Sequence, residues 1–357
     1  MPLAITGHNL HSSIGHDIET SIASYRAGIV RPILLPNFQV LDMEDLDTIS
    51  ILGYPITGLT DGFHGAGLFI RLSVLVINEL IQNLKFVRSD NNFFHETGFN
   101  VCLPKCRDEN FDFYNEVLKQ TFIQSVCENL NIKFNETHQQ VFFDGNAGVL
   151  IAAQKAAEII NKRVVKRVII LAVDSLVGKA DLEYFAQSNR LKTLKSPIGL
   201  IPGEAGAAIL LEDATSARKR NAPILGYIDA INTGIEKNNL ESEQKNFGDG
   251  LSDVLNRTLA GRDRISCIYG DLNGEDWRAH EYGSALVKLT GKYNIENISS
   301  HFPAECFGDT GAASGALSIC AAIQSFNRNY ASSDEIVVFS SSDTGEVASA
   351  LLLKATN

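Results

Sequence analysis

What this chain has little of narrows it first. It carries 31 basic residues against 42 acidic ones, a formal net charge of −11, and no Lys/Arg run longer than Arg218-Lys219-Arg220. The broad cationic surface that nucleic acids demand is missing, so no DNA or RNA partner is expected. No uninterrupted apolar stretch reaches the ~18 residues of a membrane-spanning helix, so no membrane span is expected. Residues 1–6 read as a strand and lack the basic flank and long apolar core of a secretory leader, which leaves the cytoplasm as the expected location. Six cysteines, Cys102, Cys106, Cys127, Cys267, Cys306 and Cys320, are scattered through 357 residues. Only Cys102 and Cys106 are close together and no second pair completes a zinc site, so they read as reduced thiols in or near a core. His8, His11, His16, His64, His95 and His138 show no pairing with an acidic residue at helical or turn spacing, and no glycine run forms a dinucleotide fingerprint with a downstream acid. Neither a metal nor a cofactor is expected.

What is there is a repeat. Gly203-Glu204-Ala205-Gly206-Ala207-Ala208-Ile209-Leu210-Leu211 recurs in outline as Gly345-Glu346-Val347-Ala348-Ser349-Ala350-Leu351-Leu352-Leu353. Each copy closes the same series: a glycine-flanked polar residue, Asn146 or Asp309, then an Ala-rich helical stretch over 149–160 or 312–323, then a strand over 168–173 or 336–340. A period this long exceeds any solenoid repeat and implies two similar halves packed together, 1–215 and 222–357, divided at the charged stretch 213–221. Both polar residues open equivalent helices, which marks where a site should lie.

The other elements follow from periodicity. Helices are expected over 15–28, 67–84, 110–130, 248–259 and 276–290, and strands over 99–104, 140–143, 222–232 and 265–269. Residues 32–62 are punctuated by Pro and Gly and read as loop with short elements. Strands alternating with helices imply mostly parallel sheet covered on both faces. The strand at 140–143 runs directly into Asp144-Gly145-Asn146-Ala147-Gly148 and a helix, the order in which α/β enzymes present a nucleophile.

These residues resemble the thiolase and β-ketoacyl synthase superfamily. Ile201 through Ala208 is similar to the synthases' proline-glycine-glutamate-glycine segment, Gly308 through Ala316 to their glycine-histidine-threonine segment, and 143–153 to their nucleophile turn. The resemblance covers nearly the whole chain in order and implies a thiolase-like five-layered α-β-α-β-α fold. It also implies a homodimer that extends its sheets across the strand at 140–143. The chemistry departs from the pattern. Condensation in that family needs a thiolate to carry the acyl group and two histidines, or a histidine and a second cysteine, to stabilise developing charge. Here the nucleophile position holds Asn146, whose carboxamide cannot form a thioester, and the two histidine positions hold Asp309 and Asp271. The family's lysine falls near Ala304. No Cys, Ser or Thr lies between Asp144 and Ala153 to take over.

One segment, Gly270 through Tyr282, gathers Asp271, Asn273, Glu275, Arg278, His280 and the chain's single Trp at a strand exit and helix start. Read structurally, Asn273-Gly274 is a turn, Asp276 an N-cap, and Arg278 with Glu281 or Glu275 a helix-surface ion pair of about 0.3–0.5 kcal/mol. Read functionally, Asn146, Asp271, Asn273, Glu275, Arg278, His280 and Asp309 are candidates for binding a ligand or partner. In wording and position the segment resembles the catalytically degenerate thiolase-like proteins associated with type VI secretion effectors. Two classes of function follow. The first is a non-catalytic binding or adaptor protein for a secreted effector or its spike partner. The second is a partner of a synthase subunit, similar to a chain-length factor, or an acyl-carrier or coenzyme A binding protein. An acyltransferase using other residues is the remainder.

Overall fold

The computed structural model describes residues 2–41, 47–84, 92–105, 111–242 and 244–355; Cys106 lies outside them. In the first half the order is β1 (Leu3–Ser12), α1 (Ile18–Arg26), β2 (Ile33–Leu41), β3 (Thr48–Gly53), α2 (Gly65–Asn83), β4 (Thr97–Cys102), α3 (Phe111–Leu130), β5 (Gln139–Phe142), α4 (Gly148–Asn161), β6 (Arg167–Ser175), α5 (Lys179–Gln187) and β7 (Glu204–Asp213). After the short α6 (Ala214–Lys219) come β8 (Gly226–Ile235), α7 (Asp249–Thr258), β9 (Cys267–Tyr269), α8 (Asp276–Leu289), β10 (Ser299–His301), α9 (Ala304–Phe307), α10 (Ser314–Asn327), β11 (Glu335–Ser341) and β12 (Glu346–Lys354). Helices α4 and α10 are each preceded by one 3-10 turn, Gly145–Ala147 and Gly311–Ala313.

Ten strands form one connected sheet in the order β10-β9-β11-β12-β8-β1-β7-β6-β4-β5. Counted within each half, that is the same order twice: third, second, fourth, fifth, first. The last strand of each half, β7 or β12, is antiparallel to both its neighbours, whereas β4, β5 and β6, like β9, β10 and β11, run parallel. The halves join where β1 meets β8 over three residue pairs, Leu3 with Ile228, Ala4 with Tyr227 and Ile5 with Gly226.

Period-two alternation then sorts side chains into layers. Val168, Ile170 and Ala172 of β6 face one core with α4 and α10, while Ile169, Leu171 and Val173 face another with α2 and α3. Ile336 and Val338 of β11 share the first core; Val337 and Phe339 turn to α7 and α8. The result is α2/α3, sheet, α4/α10, sheet, α7/α8, the expected five-layered fold. A helix between two sheets has no wet face, and every residue of α10 from Gly315 to Phe326 is buried. Its small residues let both sheets approach. Helix α2 is long and apolar enough to cross a membrane, yet Leu68, Leu72, Val76, Ile77 and Leu80 are buried in the outer core of the first sheet.

The region 32–62, expected as loop with short elements, contains the β2–β3 hairpin, whose Leu35 and Ile51 pack with Leu182, Phe185 and Leu200 in a separate small core. Its register slips between Leu34 and Gln39, where Pro36 interrupts the ladder, so no clean alternation marks it in the sequence. Helices α5 and α9 and strand β10 were also outside the periodicity reading. The last two span only 4 and 3 residues, too short to show a period.

Candidate functional site

The two helix starts lie side by side in the middle layer, and each half caps the other. The exit of β6 supplies Asp174, whose carboxylate accepts the Ala312 N–H at 2.7 Å, in the turn before α10. The exit of β11 supplies Ser342, whose hydroxyl accepts the Ala147 N–H at 3.0 Å, in the turn before α4, and donates to the Asp144 carbonyl. These bonds satisfy N–H groups that a helix start leaves free. Contact is too close for side chains at the crossing. A Cβ on Gly311, where φ is 48°, would sit 2.1 Å from an Asp174 oxygen, and one on Gly203 would sit 2.3 Å from the Phe307 carbonyl. Gly203 N–H donates to the Asp309 carbonyl and Asp309 N–H to that of Ile201, both at 2.8 Å, so the Pro-Gly-Glu segment holds the Asp309 turn directly. Glu204, buried, accepts from Ile56 N–H, Thr60 and Ser175 and ties that loop down.

Around Asp309 lies a buried ionic network. Arg190 donates to both carboxylate oxygens of Glu275, at 2.6 and 2.8 Å, and to Asp343 at 2.7 Å. Asn273 donates to Glu275 at 2.8 Å and to Asp309 at 2.6 Å, and Asp309 also accepts the Gly311 N–H at 2.9 Å. Arg278 donates to Asp271 at 3.3 Å, to Asp343 at 3.1 Å and to the Ser341 carbonyl. Burial works against the charge on both arginines, and the facing carboxylates outweigh it: Glu275 and Asp343 raise Arg190, Asp271 and Asp343 raise Arg278. For Asp271 the balance is reversed. Burial pushes its carboxyl up to about 7, which Arg278 and the Ser341 N–H only partly oppose.

This corrects the surface reading of the 270–282 segment. Arg278 is 2% exposed and bonds to Asp271 and Asp343, and lies 3.9 Å from Glu275. Its neighbour Glu281 is held by Asn246 at 2.9 Å. The N-cap of α8 is Glu275, not Asp276, and its carboxylate is engaged by Arg190 rather than by the helix. Asn273 does turn the chain, accepting the Glu275 N–H at 3.0 Å, with Gly274 at φ 100°. His280 points elsewhere: it is exposed on α8, its ring 6.2 Å from that of Phe247.

Of the seven candidates, five therefore form one cluster: Asp271, Asn273, Glu275, Arg278 and Asp309. Asn146 stands at the other helix start, buried, with its Nδ2 making no hydrogen bond. Two thiols stand near these turns. Cys102, fully buried beside Gly148, is pushed well above the ordinary thiol range by burial and then by the Asp144 charge, and Cys306, three residues before Asp309, is raised by burial and Glu305. Asp144 itself is raised, by burial and then Glu346. The described residues contain no group of three or more His, Cys, Asp or Glu able to hold a metal.

Two members of the network, Arg190 and Asp343, were not singled out from the sequence. Arg190 follows α5, at a helix end with no periodic signal. Asp343 had one available signal: it stands two residues past the strand of the second copy of the repeat, near where Asp174 stands at the end region of the equivalent strand in the first.

No known family profile matches the chain, and no curated protein matches it in sequence. Solved structures do. The ketosynthase from module 6 of the bacillaene synthase of Bacillus subtilis 168 superposes with a TM-score of 0.78 at 11% identity, over 100% of this chain and 73% of that one. The oxazolomycin ketosynthase domain of Streptomyces albus JA3453 gives 0.80 at 11%, over 100% and 75%. The ishigamide ketosynthase/chain length factor gives 0.70 at 15%, over 100% of both chains. At such identities the likeness establishes the fold, that of thiolase-like ketosynthases.

Proposed function

We propose that this chain is a non-condensing binding protein built on a ketosynthase-like scaffold, an adaptor whose helix-start cluster recognises a protein partner. The observation that carries this reading is the pair of turns themselves. One presents a carboxamide, Asn146, with a free Nδ2, and the other presents Asp309 tied into carboxylates and arginines. An acyl thioester needs an accessible thiolate, and the two neighbouring thiols are buried and raised. A carboxylate at Asp309 adds negative charge where condensation requires stabilisation of an oxyanion. A partner of secreted-effector or spike type is the occupant that the resemblance of the 270–282 segment favours. Dimerisation would use β5, which closes one end of the sheet with its outer edge unpaired among the described residues.

Incubation with acyl-coenzyme A or an acyl-carrier thioester, followed by intact mass measurement, tests the chemistry. No adduct is expected, and a covalent acyl group on any cysteine overturns the reading. Gel filtration at a mass near 38.9 kDa would remove the dimer.

One observation favours a second reading. The ishigamide ketosynthase/chain length factor matches end to end over both chains, so this chain has the length of such a subunit. A chain-length-factor-like partner should co-purify from its host with a catalytic synthase subunit, whereas the adaptor should bring down an effector-sized protein. Asp144, Asp271, Glu275, Asp276 and Asp309 make the surroundings acidic, which disfavours the phosphates of coenzyme A or a carrier arm.

A further inference from the structure

The exit of β11 joins the two helix starts through three consecutive residues. Ser341 is held by its backbone: its N–H donates to Asp271 at 2.9 Å, and its carbonyl accepts from Arg278. Ser342 is held by its side chain, which accepts the Ala147 N–H at 3.0 Å and donates to the Asp144 carbonyl at 2.5 Å, so it grips the turn that carries Asn146 from both sides. Asp343 accepts from Arg190 at 2.7 Å and from Arg278 at 3.1 Å. The chain then turns back at once, with the Gly345 N–H on the Ser342 carbonyl at 2.9 Å and the Ser342 N–H on that of Glu346 at 2.8 Å. A segment this short, closed by its own turn in a close-packed interior, moves as a unit. Little slack separates it from the Asn146 turn: a Cβ on Gly145, where φ is 54°, would sit 3.1 Å from the Ser342 hydroxyl.

Asp271 stands at the head of this segment. One of its carboxylate oxygens accepts both the Ser341 N–H and, at 3.3 Å, Arg278. The charged groups around it are Arg278 and Glu281 on α8, Glu275 at the start of that helix, Asp309 in the turn before α10, Asp343 beyond β11, and Arg190, which bridges Glu275 and Asp343. Burial pushes the Asp271 carboxyl up to about 7, Arg278 and the Ser341 N–H oppose the rise, and Glu281 and Asp309 add to it. Its charge therefore changes near neutrality. Hydrogen bonds to an ionised acceptor are roughly twice as strong as neutral ones, so losing the charge slackens both bonds at once. Arg278 then keeps Asp343 and the Ser341 carbonyl, which both lie on the segment itself.

We propose that residues 341–343 form a proton-operated switch: an ionised Asp271 holds the β11 exit, and through Ser342 the Asn146 turn, in the arrangement described, and a neutral Asp271 lets both shift. Binding at Asn146 is thereby tied to pH. This regulation rests on the reading of Asn146 as a partner contact; the mechanical link between Asp271 and the turn does not.

The link is read without any partner, from amide proton–nitrogen correlation spectra of the deuterated full chain between about pH 5 and 9. In wild type the backbone N–H groups of Ser341 and Ala147 and the side-chain amide of Asn146 should all shift in one step, with a shared midpoint at about 7. Asp271→Asn should abolish the step at all of them. Ser342→Ala cuts the segment from the turn, so it should keep the step at Ser341 and lose it at Ala147. No step at Ala147 and Asn146 in wild type, a step that survives Asp271→Asn, or one that survives at Ala147 in Ser342→Ala overturns the proposal; the last would mean that Asp271 acts on the turn by its field alone. If the spectra behave as expected and Asn146→Ala leaves partner co-purification unchanged, the mechanical link stands, and the regulation of binding falls together with the recognition reading.

Discussion

The two helix starts are built on one plan and filled differently. At the first, a neutral hydroxyl from Ser342 caps the turn, and Asn146 contributes an amide nitrogen that bonds to nothing. At the second, the carboxylate of Asp174 caps the turn, and Asp309 is joined through Asn273 and Glu275 to Arg190, Arg278, Asp271 and Asp343. The backbone symmetry is kept while the charge is gathered on one side. A buried, interlinked ionic cluster resists rearrangement, because removing any member strands the rest, whereas an unpaired amide is available to a ligand. On the proposed function, the second start would supply rigidity and the first, with its free amide, a contact to the partner.

The sharpest way to break that contrast is Arg190→Met. It takes a cation from the middle of the network and leaves buried Glu275 and half-buried Asp343 without it, a loss of about 3–5 kcal/mol for breaking the buried Arg190–Glu275 pair from one side. Urea unfolding should show the midpoint falling sharply with little change in slope. A loss under about 1 kcal/mol would mean that the network contributes nothing to holding the halves together. Because Arg190 belongs to the first half of the chain and its carboxylates to the second, the effect also measures how far the halves depend on each other.

The same contrast explains what could be read from the sequence. The fold was accessible because it is written in repeated, local signals: Gly203-Glu204 against Gly345-Glu346, alternating strands such as β6, and Ala-rich helices such as α4. The replacement of thiol and histidines was visible as single letters at Asn146, Asp271 and Asp309. The network was not, because ion pairs between residues 85 and 153 positions apart, Arg190 with Glu275 and with Asp343, leave no pattern in a one-dimensional chain. Arg278 was misplaced for a related reason. Helical spacing to Glu275 and Glu281 offers surface partners, and only the arrival of the β11 exit over that face of α8 buries it.

A pH series sharpens the second start further. The Asp271 carboxyl ordinarily titrates near 3.8 and is pushed up to about 7 in the fold, so the native state holds the proton more tightly than the unfolded chain. That contribution is fully present below about pH 4, falls as pH rises, and is lost above about 7. Asp271→Asn fixes the uncharged state. The stability of wild type relative to this variant should decline between about pH 4 and 7, by an amount on the order of 4 kcal/mol. Parallel curves for the two proteins would show that Asp271 stays ionised beside Arg278 throughout.

Smaller effects are expected at the first start. Ser342→Ala removes the acceptor for the Ala147 N–H and should cost about 1 kcal/mol, the usual value of a helix-start cap. Asn146→Ala should cost less, within about 0.5 kcal/mol in either direction, because it deletes an amide nitrogen with no bond to lose while opening a small void. The informative readout for Asn146→Ala is therefore recognition. If the first start is where a partner is read, this substitution should leave the melting curve in place and reduce co-purification of the partner. If instead it destabilises the chain by 2 kcal/mol or more, Asn146 is as deeply tied into the structure as Asp309, and the division between a rigid start and a receptive one fails.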